Sequence, residues 1–126
     1  MKILLTGAKG MLGRTLTREF SDDFDFIPTD LPEADMTDER LLDGVFKRYL
    51  PDAVIHCVAM TAVDRCESER ESAFRLNVRG TANVASVCRK YAIRLIAVST
   101  DYVFDGDADR PYDEFDRPNG GRTVYG

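Results

Sequence analysis

Three glycines near the N-terminus have the spacing of a turn that holds a pyrophosphate. Gly7, Gly10 and Gly13 come directly after a short apolar run and directly before a stretch with helical periodicity. In that context the first glycine permits a tight turn, the second lets the backbone approach a pyrophosphate, and the third allows a helix to pack closely on a strand. The N-terminus of the helix adds unpaired N–H groups that attract the anion. The sequence therefore favours dinucleotide binding over a purely structural turn.

Asp30 is the residue that would distinguish between two dinucleotides. It closes the second predicted strand, close to where an acidic residue accepts hydrogen bonds from the adenosine ribose, and in that role it would favour NAD. Lys9, Arg14 and Arg18 are near enough in the predicted fold to bind the 2′-phosphate of NADP instead. Asp30 could equally cap a loop. The sequence therefore leaves NAD and NADP open.

Polar residues also follow the third and fourth predicted strands. Residues 59–61 read Ala-Met-Thr and residues 99–101 read Ser-Thr-Asp. Open α/β sheets bind ligands at the carboxyl ends of their strands, so we expect these hydroxyls to contact a cofactor or a substrate. Tyr125 could donate its phenolic proton to a carbonyl oxygen that a nicotinamide reduces. From its spacing alone, Tyr125 is more simply interpreted as an exposed loop residue.

Four apolar runs alternate with three helical patterns and must position these groups. The predicted strands cover Lys2–Thr6, Phe24–Thr29, Ala53–Ala59 and Leu95–Val98. The predicted helices cover Met11–Phe20, a segment that begins near Asp38 and ends before Pro51, and Glu69–Tyr91. This alternation predicts an α/β, Rossmann-type doubly wound parallel sheet, with residues 1–126 as one NAD(P)-binding domain. Residues 100–126 lose the periodicity and are expected to form an ordered surface loop, followed at residues 123–125 by the first residues of another helix or strand.

Composition excludes several other classes of protein. The chain has 126 residues, enough for one hydrophobic core, and a net charge of −5 with no basic cluster, which argues against nucleic-acid binding. No apolar run is long enough to span a membrane, and the apolar stretch at the N-terminus is too short for a secretory signal. We therefore expect a cytoplasmic protein. The cysteines lack C-x-x-C spacing and His56 is the only histidine, so no disulfide framework and no metal site are expected.

Five segments together resemble the dTDP-4-dehydrorhamnose reductase family of extended short-chain dehydrogenase/reductases. The resemblance extends over essentially the whole chain, and S-T-D-Y-V-F-D-G followed by Y-G is its most specific part. The matching segments read G-A-K-G-M-L-G, P-D-A-V-I-H-C-V-A-M-T-A-V-D-R-C-E, N-V-R-G-T-A-N, V-S-T-D-Y-V-F-D-G and P-Y-D-E-F-D-R-P-N-G-G-R-T-V-Y-G.

The resemblance implies NAD(P)H-dependent reduction of a 4-keto nucleotide sugar, the last step toward dTDP-L-rhamnose for cell-surface polysaccharide. It implies that Tyr125 is the proton donor, that Thr100 belongs to the catalytic set, and that Asn77 is mainly structural. The implied substrate contacts are Asp101, Tyr102 and Phe104. The implied cofactor contacts are Gly7, Gly10, Met11, Leu12, Gly13 and Asp30, with Ala59, Met60 and Thr61 along the nicotinamide half and Asp35 and Met36 beside the adenine.

The chain also departs from the family pattern. In the family the tyrosine belongs to Y-x-x-x-K, whose lysine would lie beyond Gly126, and members are more than twice as long. We therefore expect an N-terminal portion that is inactive alone. His56 stands where asparagine is usual, and G-G-R-T before Val124 is unusual. The alternatives are a non-catalytic nucleotide-binding or regulatory subunit, or a reductase or epimerase of another nucleotide sugar, and a homo-oligomer is compatible with each.

Overall fold

The four predicted strands form one parallel sheet in a computed structural model that describes residues 1–126. The strands lie in the order β2-β1-β3-β4, so the first crossover runs to one side of β1 and the next two run to the other side. This arrangement confirms the predicted doubly wound α/β fold. The strands are β1 (Lys2–Thr6), β2 (Asp25–Thr29), β3 (Ala53–His56) and β4 (Arg94–Ala97).

Helices connect the strands, as each parallel crossover requires. They are α1 (Met11–Phe20), α2 (Glu39–Tyr49), α3 (Val63–Ser68), α4 (Arg70–Ala73) and α5 (Thr81–Lys90), with a π-helical segment at Phe74–Gly80 and a 3₁₀ turn at Asp101–Val103. The long helix predicted over Glu69–Tyr91 corresponds to the continuous run of α4, the π-helical segment and α5. The short helix α3 and the π-helical segment were not predicted.

The core lies between the sheet and the pair of helices α2 and α5. Leu42 and Phe46 of α2 and Val84 of α5 are essentially inaccessible to solvent. The ring of Phe46 stacks on that of Tyr91, with 6.0 Å between centroids. At the rim, the Asp43 carboxylate accepts hydrogen bonds from the Lys90 ammonium and from the Tyr91 hydroxyl. The buried apolar stripe and this polar rim together fix α5 against α2.

The two edges of the sheet differ. β2 carries Pro28, which cannot donate to a further strand, and it lies at an edge as its proline predicts. β4 forms the other edge, where the Ile96 side chain is exposed. Beyond β4, residues 104–122 form a loop held by the Arg110 and Asp116 ion pair and by that of Arg122 with Asp107. No helix combines the length and apolar character needed to cross a bilayer.

Candidate active site at the carboxyl ends of the strands

The glycine turn joins β1 to α1 with the tight geometry that its spacing predicts. Gly7 has a φ of +70°, and its carbonyl accepts a hydrogen bond of 3.0 Å from the Gly10 amide. A side chain on Gly13 would overlap the Gly7 carbonyl and the Ala8 backbone, so only glycine lets the helix approach this closely. Gly10 is the N-cap of α1 and offers no side chain to its first turn. The first N–H groups of α1 are therefore available to an anion.

One cavity of about 460 Å³ connects the glycine turn to the ends of β3 and β4. It contains most of the predicted cofactor residues together with both predicted catalytic residues. Its lining comprises Gly7, Gly10, Met11, Leu12, Gly13, His56, Cys57, Val58, Ala59, Thr61, Asn77, Val78, Thr81, Val98, Ser99, Thr100, Val103 and Tyr125. The fold thus brings residues that are more than 110 positions apart in the sequence to one site.

Asn77 holds the wall of this cavity in place. Its side-chain carbonyl accepts from the Met60 amide at 2.7 Å, and its side-chain amide donates to the Met60 carbonyl at 3.0 Å. Cys66 adds a contact of 3.5 Å from its thiol to the same carbonyl. Ala59 and Thr61 line the cavity on either side, whereas Met60 itself is not among the lining residues. Asn77 thus bridges the π-helical segment and the loop that follows β3.

His56 lies in a chain of polar side chains beneath the cavity. Its Nδ1 is 2.7 Å from the Thr6 hydroxyl, and its Nε2 is 3.1 Å from the Thr81 hydroxyl. His56 is 3% exposed, and burial lowers the pKa of its imidazole. The ring is therefore fully hydrogen-bonded and favours its neutral form.

Thr100 and Tyr125 face the same cavity from the C-terminal segment. The Thr100 hydroxyl accepts from the Tyr102 amide at 3.2 Å, which begins the 3₁₀ turn. The ring of Tyr125 packs edge-on against the ring of Tyr102, with 5.5 Å between centroids. The hydroxyl of Tyr125 donates to no protein group. It is free to contact a ligand in the cavity.

A second cavity, of about 690 Å³, lies at the other end of the glycine turn and contains Asp30. The two Asp30 oxygens accept from the amides of Lys9 at 3.0 Å and of Leu31 at 2.9 Å, so Asp30 does cap this loop. Arg14 and Arg18 line the same cavity. Each oxygen of the Asp30 carboxylate keeps a lone pair that is not used by these bonds, so Asp30 can cap the loop and still accept a hydrogen bond from a ribose hydroxyl.

A third cavity, of about 650 Å³, contains the three residues expected near the substrate, namely Asp101, Tyr102 and Phe104. The Phe104 ring stacks on Tyr112 at 4.2 Å between centroids. Beside it, hydrogen bonds from the Asp107 amide and from the side chains of Asn119 and Tyr112 lower the pKa of Asp105 to about 2. Aromatic faces next to carboxylates suit a polar ring such as a base or a sugar.

Asp35 and Met36 line none of these three cavities. The Asp35 carboxylate accepts from the amide and the hydroxyl of Thr37, and these bonds lower its pKa. Met36 is 2% exposed and packs in the hydrophobic core against Gly80.

The sequence analysis missed Val78 and Thr81 as residues that line the cavity of about 460 Å³. Both residues lie in the N-V-R-G-T run, one of the segments that resemble the family, and their place beside Asn77 in that run could have indicated them. No three His, Cys, Asp or Glu side chains are grouped to hold a metal ion.

The sheet order and the glycine turn define an α/β protein of the Rossmann-type class. Within that class, the chain belongs to the family described as RmlD substrate binding domain, which matches residues 1–126. This finding confirms the resemblance to dTDP-4-dehydrorhamnose reductases.

Relatives named dTDP-4-dehydrorhamnose reductase are similar to the whole chain. The protein from Streptomyces griseus is 43% identical over 98% of the chain and 40% of its own length. A crystal structure from Clostridium acetobutylicum superposes with a TM-score of 0.93 at 39% identity, covering 99% of this chain and 45% of that one. One from Bacillus anthracis, solved in complex with NADP, gives 0.92 at 37% identity, covering 98% and 44%. The chain thus spans less than half the length of these relatives.

Proposed function

We propose that this chain is the cofactor-binding part of an NAD(P)H-dependent reductase of a 4-keto nucleotide sugar, converting dTDP-4-dehydrorhamnose to dTDP-L-rhamnose for cell-surface polysaccharide. The observation that carries the proposal is the cavity that joins the uncapped glycine turn to Thr100 and Tyr125. A turn for a dinucleotide and a free phenol in one cavity are the two parts that carbonyl reduction needs. The reductase names of the relatives support the same chemistry.

The glycine turn fits a dinucleotide. Gly7 and Gly10 border the cavity of about 460 Å³, whereas Ala8 and Lys9, between them in sequence, border the cavity that contains Asp30. A pyrophosphate over the N-terminus of α1 would therefore place the nicotinamide half toward Ala59 and Thr61 and the adenosine half toward Asp30 and Arg14. A dinucleotide carries a nucleoside at each end of its pyrophosphate, so it has one nucleoside for each cavity.

The reduced nicotinamide supplies the hydride when it is bound. Tyr125 donates its phenolic proton to the carbonyl oxygen of the sugar as negative charge develops there. The Thr100 hydroxyl accepts from the Tyr102 amide and donates to the Asp101 carboxylate at 3.3 Å, and it would stabilise the same oxygen by turning its proton from Asp101 to that oxygen. Ala59 and Thr61, on the segment held by Asn77, would keep the nicotinamide ring facing these hydroxyls.

The substrate would extend from this cavity toward Asp101, Tyr102 and Phe104. The aromatic faces of the neighbouring cavity can stack on a ring of the substrate, and the carboxylates can accept hydrogen bonds from sugar hydroxyls. The choice of nucleotide and sugar would depend also on the part of the relatives that lies beyond the region matched by this chain.

The test is steady-state reduction of a dTDP-4-keto sugar by the protein at its native length. Tyr125→Phe should abolish most of the turnover and leave the Kd for the cofactor nearly unchanged, because only the proton donor is lost. Thr100→Val should reduce kcat by a smaller factor, about tenfold to a thousandfold for one oriented hydroxyl. Near-normal turnover by Tyr125→Phe would refute the proposal, and an equal loss of cofactor binding would show that Tyr125 is structural.

A further inference from the structure

The segment that carries Tyr125, residues 104–126, has one polar connection to the part of the fold formed by residues 1–99. Of all the direct hydrogen bonds and ion pairs formed by residues 104–126, a single one reaches residues 1–99. In this bond the backbone amide of Val124 donates to Oε1 of Glu67 over 2.7 Å, across 57 positions in the sequence. The ion pairs of Arg110 and Arg122 stay within the C-terminal loop. Glu67 therefore makes the one hydrogen bond that ties this segment directly to residues 1–99.

Glu67 is itself held in place. Its other carboxylate oxygen, Oε2, accepts from Arg70 at 3.2 Å, and the Arg70 side chain also donates to the Glu67 carbonyl at 3.3 Å. The neighbouring Cys66 is fully buried, and its thiol contacts the Met60 carbonyl. Helix α3 is thus attached through Cys66 to Met60, whose backbone Asn77 also holds, and these contacts form the wall of the cavity.

The bond is close to the reacting group. Val124 precedes Tyr125, and consecutive α-carbons are about 3.8 Å apart, so fixing one amide restricts the next side chain. A phenol must approach a carbonyl oxygen within hydrogen-bond distance to transfer its proton. Tyr102, in the 3₁₀ turn that precedes this segment, supports one side of the Tyr125 ring, but it makes no hydrogen bond to residues 1–99.

We infer that Glu67 is a positioning residue for Tyr125, which holds the phenol over the cavity by accepting the Val124 amide. The inference rests on the proposed function, in which Tyr125 donates the proton. Glu67 touches neither cofactor nor substrate, because it does not line the cavity. Its side chain is 42% exposed, so its replacement removes a contact without opening the core.

The test compares three variants in the protein at its native length. Glu67→Met keeps the length of the side chain but removes the acceptor, and should lower kcat at least about tenfold, since a misplacement of roughly 1 Å can cost about a hundredfold. Glu67→Gln keeps a carbonyl acceptor and should retain most of the turnover. Glu69→Met is the matched control: Glu69 is equally exposed, pairs only with Arg65, and should behave as wild type. The Kd for the cofactor should be the same in all three.

A second variant background separates positioning from a merely structural role. In Tyr125→Phe, Glu67→Met should cause no further loss of kcat, because the group that it positions is already gone. Hydrogen exchange of the Val124 amide gives a readout independent of activity, and should accelerate in Glu67→Met but not in Glu67→Gln. Unchanged exchange, full turnover in Glu67→Met, or additive losses in the double variant would each overturn the inference. Full turnover in Tyr125→Phe alone would instead overturn the proposed function, and the role of Glu67 with it.

Discussion

Replacing Gly10 by valine should separate cofactor binding from folding. Gly10 has a φ of −70° and a ψ of 171°, a conformation open to any residue, and a Cβ there would meet only the Gly7 carbonyl, at 3.1 Å. We expect the loss of glycine at an N-cap to lower the free energy of unfolding by about 1 kcal/mol. The valine side chain would project to where the pyrophosphate passes. The Kd for NADPH and NADH should rise at least tenfold, or about 1.4 kcal/mol.

Two other glycines provide the comparison. Gly13→Ala forces a Cβ into the Gly7 carbonyl and the Ala8 backbone, and such overpacking costs about 1–3 kcal/mol, of which the helix propensity of alanine offsets about 1 kcal/mol. Gly13→Ala should therefore reduce both stability and affinity. Gly44 in α2 has no atom near its missing Cβ, so Gly44→Ala should stabilise the fold by up to about 1 kcal/mol and leave affinity unchanged.

The assay for these variants combines calorimetric titration with either dinucleotide and urea unfolding followed by circular dichroism. Gly10→Val with wild-type affinity would show that the pyrophosphate does not cross this turn. A loss of affinity in Gly44→Ala as large as that in Gly10→Val would show that the measurement reports general damage rather than the site.

Two further predictions concern the polar groups around the cofactor cavities. Burial lowers the pKa of His56 below its ordinary value of 6.5, so the unfolded chain takes up the proton first and the folded state loses stability as the pH falls below 6.5. His56→Asn should flatten the dependence of the urea midpoint on pH in that range. An unchanged slope would show that the pH dependence of stability does not come from His56. Arg14→Gln should weaken NADPH binding about tenfold, as expected for one charge-assisted hydrogen bond of about 1.5 kcal/mol, and leave NADH binding unchanged. An equal loss for both dinucleotides in calorimetric titration would show that Arg14 does not contact a 2′-phosphate.

The element order could be predicted from the sequence because each strand contains a short apolar run. The residues at which the strands end could not be predicted. β3 was predicted to reach Ala59 but ends at His56, because its partners Thr6 and Ala97 are the last residues of β1 and β4. Beyond them only two further bonds continue the ladder, from the Cys57 amide to the Thr6 carbonyl and from the Val98 amide to the His56 carbonyl. The end of a strand depends on its neighbours, which periodicity within one segment does not record.

The helical region between β3 and β4 shows the same limit. Its apolar spacing of three and four is common to α- and π-helical turns, so the π-helical segment at Phe74–Gly80 has no separate signature. The helix α3 is only six residues long and mostly polar, too short for a periodic pattern. Glu67 could therefore not be recognised from the sequence, since its importance depends on a partner 57 residues away.

The unusual G-G-R-T run, by contrast, has a local explanation. Gly120 and Gly121 both have positive φ values, +85° and +59°, which residues with side chains rarely adopt. A side chain on Gly121 would also overlap the Tyr102 carbonyl. The two glycines thus let the chain turn back closely over Tyr102 and bring Tyr125 to the cavity, a role that the sequence alone did not reveal.

Transfer of a deuterium label tests the central proposal most directly. The protein at its native length would be incubated with a dTDP-4-keto sugar and with NADPH or NADH deuterated at the hydride position, and the sugar product analysed by mass spectrometry and NMR. The proposed reductase predicts one deuterium on the carbon that bore the keto group, and at limiting cofactor a rate of labelling at least tenfold lower in the Gly10→Val variant. A converted but unlabelled sugar would indicate an epimerase that retains its hydride, and a protein that binds the dinucleotide without converting the sugar would indicate a regulatory subunit. Either result would contradict the proposal.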